Sequence, residues 1–372
     1  MSTTLPPASG LRAALGPRDF RLFGLCLAAT VASAVTDVVD VGAVVPFVVS
    51  AAALALLASL VGHSVDALGD RLGAGATGVL QSALGNLPEL FVCIFALRAG
   101  LYDVVRAALV GSVLANVLLV LGLAFVVGGL KHGTQRFGKG RARTMSMLLA
   151  LSVAAWVIPS LTDALHTPAA GHERGLSIVT SVLLLALFAL SIPASIRKQA
   201  GESPDQEQAG DAAATAEHVA AWPIWFAVTV LGAAGVGAAF VSDWFVAALT
   251  PAMDAVHLSQ SFAGLVVVAI AGNAVENVVG IQLAARNQAD YAISIILQSP
   301  LQIALVLAPV LVLVAPLIGA TFTLVLSPLL VVALVLTVVI AVLVVNDGES
   351  NWLEGASLIV LYALIATAFW WG

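Results

Sequence analysis

"GNAVENVVGIQLAARNQADYAISIILQSPLQIALVLAP" (272–309) aligns without a gap under "GNLPELFVCIFALRAGLYDVVRAALVGSVLANVLLVLG" (85–122), every position shifted by 187. Nine positions coincide: Gly85/Gly272, Asn86/Asn273, Glu89/Glu276, Val92/Val279, Ile94/Ile281, Asp103/Asp290, Ser112/Ser299, Leu114/Leu301 and Leu118/Leu305. The apolar coincidences carry little weight in so hydrophobic a chain. The recurring glycine, asparagine, glutamate, aspartate and serine mark an internal repeat.

Around the repeat the chain is 372 residues long, 60% hydrophobic and 10% charged, with a mean hydropathy of +1.06. Soluble domains carry about 25% charged residues, so this composition describes a polytopic membrane protein. A helix needs about 20 apolar residues to cross the hydrocarbon. Runs of that kind lie near 20–36, 42–63, 75–98, 104–128, 143–162, 175–196, 222–248, 259–285, 291–317, 325–345 and 351–371. They predict about eleven transmembrane helices in an all-α fold, and runs this long and unalternating exclude a transmembrane β-barrel.

The first copy of the repeat occupies the third and fourth spans and the second copy the eighth and ninth. An odd offset of five spans places the copies in opposite orientations. The expected architecture is one leading helix and two inverted five-helix repeats, with the substrate site near the midplane between them. The divisions are a cytosolic N-terminus and leading helix (1–38), a first repeat (39–197), a polar, acidic cytosolic linker (198–220) and a second repeat (221–372). The N-terminal stretch has no apolar core ahead of the first span, so the first helix is expected to act as the insertion signal.

With a cytosolic N-terminus, twelve Lys and Arg fall on the cytosolic side and three (Arg98, Arg106, Arg174) on the other. That predicts N-in, C-out in a plasma (inner) membrane, bacterial in kind. The basic stretch "KHGTQRFGKGRAR" (131–143) reads as a topogenic loop at an anionic leaflet, so no nucleic-acid partner is expected. Both cysteines, Cys26 and Cys93, fall inside spans and read as core packing rather than a disulfide.

Asn86 and Glu89, like Asn273 and Glu276, stand three residues apart, so each pair shares a helical face. A glycine before each asparagine, and Pro88 within the first motif, weaken the local helix and free backbone carbonyls. A carboxylate at helix centre costs roughly 2.5–3.5 kcal/mol, so two facing carboxylates require a cation or protons. Oxygen donors alone suit a hard cation, Ca²⁺ above all, and no Cys or His cluster suggests zinc or copper. Ser112, Ser299, Gln302 and Asn116 on the neighbouring spans are candidates to complete the shell. Asn116 has Ile303, not a polar residue, at its repeat position, which also admits a helix-to-helix hydrogen bond as its role.

Those motifs, together with "GVLQSALGNLPEL", "AARNQADYAISIILQSPLQIAL" and "DGESNWLEG", resemble the Ca²⁺/H⁺ exchanger branch of the Ca²⁺/cation antiporter superfamily from about residue 42 onward. The resemblance implies an eleven-helix exporter in which Glu89 and Glu276 bind Ca²⁺ and protons alternately from opposite sides, with no cofactor beyond the transported ions. The second motif departs from the usual Gly-Asn-Ala-Ala-Glu-His at Val275 and Asn277, Ala269 stands where proline is common, and "QSP" (298–300) replaces Gly-Ser-Ser. Asn277 therefore removes a titratable neighbour of Glu276.

His63 and Asp66, near the end of the second span, Asp243, at the end of the seventh, and Asn277, next to Glu276, are candidates for a gate or proton path. Asp103 and Asp290 read as helix N-caps, Arg98 and Arg106 as interfacial, and Glu349 and Glu354 as acids at the start of the last helix. A Na⁺-driven exchanger is the nearest alternative function. An intramembrane enzyme would need a catalytic constellation such as His-Glu-x-x-His or Gly-x-Ser-x-Gly, and neither occurs.

Overall fold

A computed structural model of the chain describes residues 15–72, 80, 84–199 and 222–371. It runs α1 (Pro17–Val38), α2 (Val44–Leu72), α3 (Leu87–Arg98) and α4 (Tyr102–Leu114), then a π-helical turn (Ala115–Val120) into α5 (Leu121–His132). After β1 (Gln135–Arg136) come α6 (Lys139–Ala164), α7 (Glu173–Gln199) and α8 (Ile224–Val256). A broken segment follows: α9 (Gln260–Phe262), a π turn (Ala263–Val268), α10 (Ala269–Gly272) and α11 (Ala274–Ala285). The chain closes with α12 (Ala289–Gln302), a third π turn (Ile303–Leu307), α13 (Ala308–Val314), α14 (Pro328–Val345), β2 (Glu349–Ser350) and α15 (Trp352–Trp370).

Among the described residues nine helices are long and apolar enough to span a membrane, or ten if the bent pair Gln260–Gly272 and Asn277–Ala285 is one span. The run expected at 75–98 is described mainly as α3, because 73–79 and 81–83 lie outside the described residues. The linker expected at 198–220 lies almost wholly outside them as well.

The repeat is visible in the backbone. Asn86 (φ −96°, ψ 20°) and Asn273 (φ −107°, ψ 16°) interrupt their helices with the same geometry. The turns that follow α3 and α11 also match, with positive φ at Gly100 (76°) and Asn287 (62°). Leu101 N–H bonds Ala96 O at 2.9 Å, and Gln288 N–H bonds Leu283 O at 3.0 Å. Asparagine is one of the few side-chain-bearing residues that tolerates that left-handed conformation, which is why a glycine position in one copy is Asn in the other.

Helix pairs follow the same correspondence. The two first helices, α2 and α8, pack on each other; α5 against α15 is matched by α13 against α7. Small residues permit the closest crossings. A Cβ on Gly111 would collide with the Leu265 carbonyl, and one on Gly264 with the Val104 carbonyl, so α4 crosses the π turn 263–268 backbone to backbone.

Between α13 and α14 the chain is extended, with Ala320, Phe322, Leu324 and Leu326 buried on one side. Non-helical backbone at this depth survives only when protein satisfies it. Ser160 Oγ donates to Leu324 O (3.1 Å) and accepts from Leu326 N–H (2.9 Å), while Ser177 Oγ accepts from Leu324 N–H (3.0 Å).

Several expectations need correction. Asp243 is not at a helix end: α8 continues through Pro251 to Val256, and Asp243 is exposed along its length. Asp103 and Asp290 are not N-caps of their own helices, whose caps are Leu101 and Gln288. Asp103 pairs with Arg106 (2.9 Å), and Asp290 accepts from the N–H of Gly138, the cap of α6 (2.8 Å). Arg106 is more than an interfacial anchor. It lies over the Phe322 ring and donates to Thr323 O at 3.4 Å, tying α4 to the extended segment. Glu354 meets the reading of an acid at a helix start, closing a capping box with Asn351, whose N–H it accepts at 3.1 Å.

Candidate functional site

Each break at an asparagine starts a new half-helix, and each motif glutamate is the third residue of that helix: Glu89 in α3, Glu276 in α11. The side chain of Glu276 lies outside what is described, so the geometry of the site is that of the Glu89 side and its partners. Glu89 is 2% exposed. It opens onto a small, partly open cleft whose other walls, Leu54, Pro88, Val92, Phe245, Val268 and the Ala271–Gly272 end of α10, are apolar.

A hydrogen-bonded network crosses from one half to the other at Glu89. Ser112 Oγ donates to Glu89 Oε1 at 2.5 Å and accepts from Asn273 Nδ2 at 3.0 Å. Asn273 Nδ2 also donates to Ala269 O at 2.9 Å, and Asn273 Oδ1 accepts from Ser299 Oγ at 3.0 Å and from Asn116 Nδ2 at 3.1 Å. A primary amide has two donors and two acceptor sites, so Asn273 is saturated. Asn86 reaches across in the other direction, its Nδ2 donating to Gln302 Oε1 at 3.3 Å.

Six of the seven residues expected to bind the ion, Glu89, Asn86, Asn273, Ser112, Ser299 and Gln302, therefore lie in two cross-repeat contacts, and all but Asn86 are buried. Asn116, which the repeat pattern made ambiguous, sits in the middle. It is fully buried, donates to Ser112 O (2.9 Å) as well as to Asn273, and its Oδ1 accepts no hydrogen bond among the described residues. Its four-residue spacing from Ser112 puts both on one face of the helix.

Asn277 is half-buried, and its Oδ1 is likewise a shielded acceptor with no donor among the described residues. Unmet acceptors of this kind cost about 1–3 kcal/mol each, and a cation is one group that would satisfy them. Among the described residues, which leave out the Glu276 side chain, no three His, Cys, Asp or Glu gather as a metal site; beside the Glu89 carboxylate the oxygens present are those of amides, hydroxyls and carbonyls.

Of the four gate candidates, Asn277 follows Glu276 in α11, and the other three are elsewhere. His63 is 60% exposed and faces α1, its Nε2 4.0 Å from Asp19 Oδ1 and its ring 6.1 Å from that of Trp222. Asp66 and Asp243 are exposed, and none of these three lines the cleft beside Glu89.

Residues 42–197 and 226–371 match the family described as sodium/calcium exchanger protein. The Ca²⁺/H⁺ antiporter ChaA of Bacillus subtilis is 35% identical over 352 residues, 94% of this chain and 99% of that one. A Ca²⁺/H⁺ antiporter of Synechocystis is 32% identical over 337 residues, 87% of this chain and 90% of that one. The solved structure of native YfkE superposes with a TM-score of 0.78 at 33% identity, covering 94% of this chain and 99% of that one.

Proposed function

The chain belongs to the sodium/calcium exchanger protein family, and from that membership we propose that it is a secondary-active antiporter exporting Ca²⁺ from the cytosol in exchange for H⁺. The observation that carries the reading is the buried Glu89 carboxylate, hydrogen-bonded through Ser112 to Asn273 of the opposite half. The names of the relatives, Ca²⁺/H⁺ antiporters at 32% and 35% identity, point the same way.

In this reading the two motif glutamates face one site. Ca²⁺ binds when both are deprotonated, and protons replace it when they are not. An empty, doubly charged site in a low-dielectric setting is too costly to carry across, so only the compensated forms switch sides and the two fluxes are coupled. Without Ca²⁺, two close carboxylates titrate as a pair, one proton being held more tightly than on an isolated glutamate.

Ser112 and Asn273 transmit that charge state between the halves. A carboxylate at Glu89 holds the Ser112 proton, and Ser112 in turn holds the Asn273 amide. When Ca²⁺ takes the carboxylate, the Ser112 hydroxyl is free to turn its lone pair toward the ion. Asn273 becomes a ligand only by giving up Ser299 or Asn116, whereas Asn116 Oδ1 and Asn277 Oδ1 are acceptors already available. Alternating access by two inverted repeats, with a cytosolic N-terminus and an external C-terminus, completes the scheme.

Purified protein in liposomes loaded with a pH-sensitive dye tests the function. Ca²⁺ added to one side without Na⁺ should drive protons to that side. Ca²⁺ flux that requires Na⁺ would establish the Na⁺-driven alternative, and flux without any counter-ion would indicate a channel.

A further inference from the structure

π turns leave backbone carbonyls out of the regular ladder, and something else must satisfy them. In the first half the turn Ala115–Val120 contains Asn116, whose own side chain bonds the Ser112 carbonyl at 2.9 Å. The second-half turn Ile303–Leu307 is "IALVL", with no side chain that can donate; Ala308 N–H bonds Ile303 O, and the next residue in that register, Pro309, has no N–H to offer the Ala304 carbonyl. Its donor comes from another helix: Trp156 Nε1–H of α6 bonds Ala304 O at 3.2 Å, both residues being buried, at 1% and 0% exposure.

Four residues on, the same helix face carries Ser160, which holds the extended segment at Leu324 and Leu326. Thus α6, from the first half, grips the second-half chain on both sides of α13. The π turn begins directly after Gln302, and Ser299 lies one turn earlier. Closing that turn into regular α-helix would rotate the segment bearing Ser299 and Gln302 relative to α13 by about 100°, the angle of one helical residue.

We propose that Trp156 is a positioning residue that locks this π turn and so fixes the direction in which Ser299 and Gln302 face the site; the functional part of the claim rests on the antiporter reading above. Trp156→Phe keeps an aromatic side chain, smaller than the indole, and removes the donor. Val153→Ala, on the same helix and 3% exposed, trims the core without touching a hydrogen bond and serves as the control for general destabilisation.

Two readouts decide it. In Trp156→Phe, KM for Ca²⁺ should rise roughly tenfold while kcat changes little, as when binding common to ground and transition state is lost. Amide hydrogen exchange across 299–308 should also accelerate. Val153→Ala should lower Tm and leave both unchanged. The inference is overturned if Trp156→Phe lowers Tm like the control while KM or the protection of 299–308 stays at the native value. If the native protein showed no Ca²⁺-driven proton flux, the antiporter reading would fall, and unchanged exchange protection in Trp156→Phe would still separately overturn the locking role.

Discussion

The two halves share a backbone and differ in what their side chains do with it. Both asparagines break a helix with nearly the same dihedral angles, and both glutamates occupy the third position after the break. Yet among the described residues the Asn273 side chain makes four hydrogen bonds and joins Ser112, Asn116 and Ser299, whereas that of Asn86 reaches Gln302. The first half fills its π turn with Asn116, and the second half, with Ile303 there, borrows Trp156. A repeated sequence thus builds a symmetric frame, and the substitutions inside it give its two asparagines different partners: Asn273 joins three polar side chains, and Asn86 meets Gln302 across the halves.

The largest test of that comparison is charge removal. Glu89→Gln and Glu276→Gln should each cut Ca²⁺-dependent proton flux by about a hundredfold or more, because one carboxylate cannot balance both cargoes. Flux surviving in one of them would assign the chemistry to a single half.

Next come the asparagines. Asn273→Ala strands groups on Ser112, Ser299 and Asn116 and should lower stability by about 2–4 kcal/mol, against about 1 kcal/mol for Asn86→Ala. Thermal unfolding of the purified variants compares them, and equal losses would erase the asymmetry. A smaller effect is expected from Asn116→Ile, which makes the first half resemble the second at this position. It should raise the KM for Ca²⁺ by roughly tenfold if Asn116 Oδ1 is a ligand, and leave it unchanged if Asn116 only braces the helix.

The smallest concerns pH. Asn277→His puts an imidazole beside Glu276, and a free histidine gains its charge as pH falls through about 6.5. A protonated ring repels Ca²⁺, so transport by this variant should show an added fall below that pH, visible in a pH–rate profile and missing from the native protein.

Much of this was legible in the residues. The recurrence of Gly-Asn-x-x-Glu carries the backbone breaks, because glycine and asparagine at that spacing disrupt a helix wherever they fall. The partners Ser112 and Ser299 follow from the same repeat and lie in the network, whereas Gln302, opposite Ala115, does not recur and reaches Asn86 in a separate contact. What the pattern could not carry is contact between elements distant in sequence. Asp290 resembles an N-cap by position but caps a different helix, through Gly138. Hydropathy ended the seventh span near 248, which put Asp243 close to its end, although α8 continues to Val256 with the aspartate exposed along it. Trp156 looks like one more buried aromatic until the carbonyl it serves is seen.

The central claim is that Ca²⁺ and protons compete for the same carboxylates. Calorimetric titration of Ca²⁺ into the purified protein, in buffers of different ionisation enthalpy and at several pH values, counts the protons released per Ca²⁺ bound. Proton release that grows as pH falls, with apparent affinity weakening in step, and that is lost in Glu89→Gln, is the predicted result. Ca²⁺ binding with the same affinity at every pH and no proton release would contradict it.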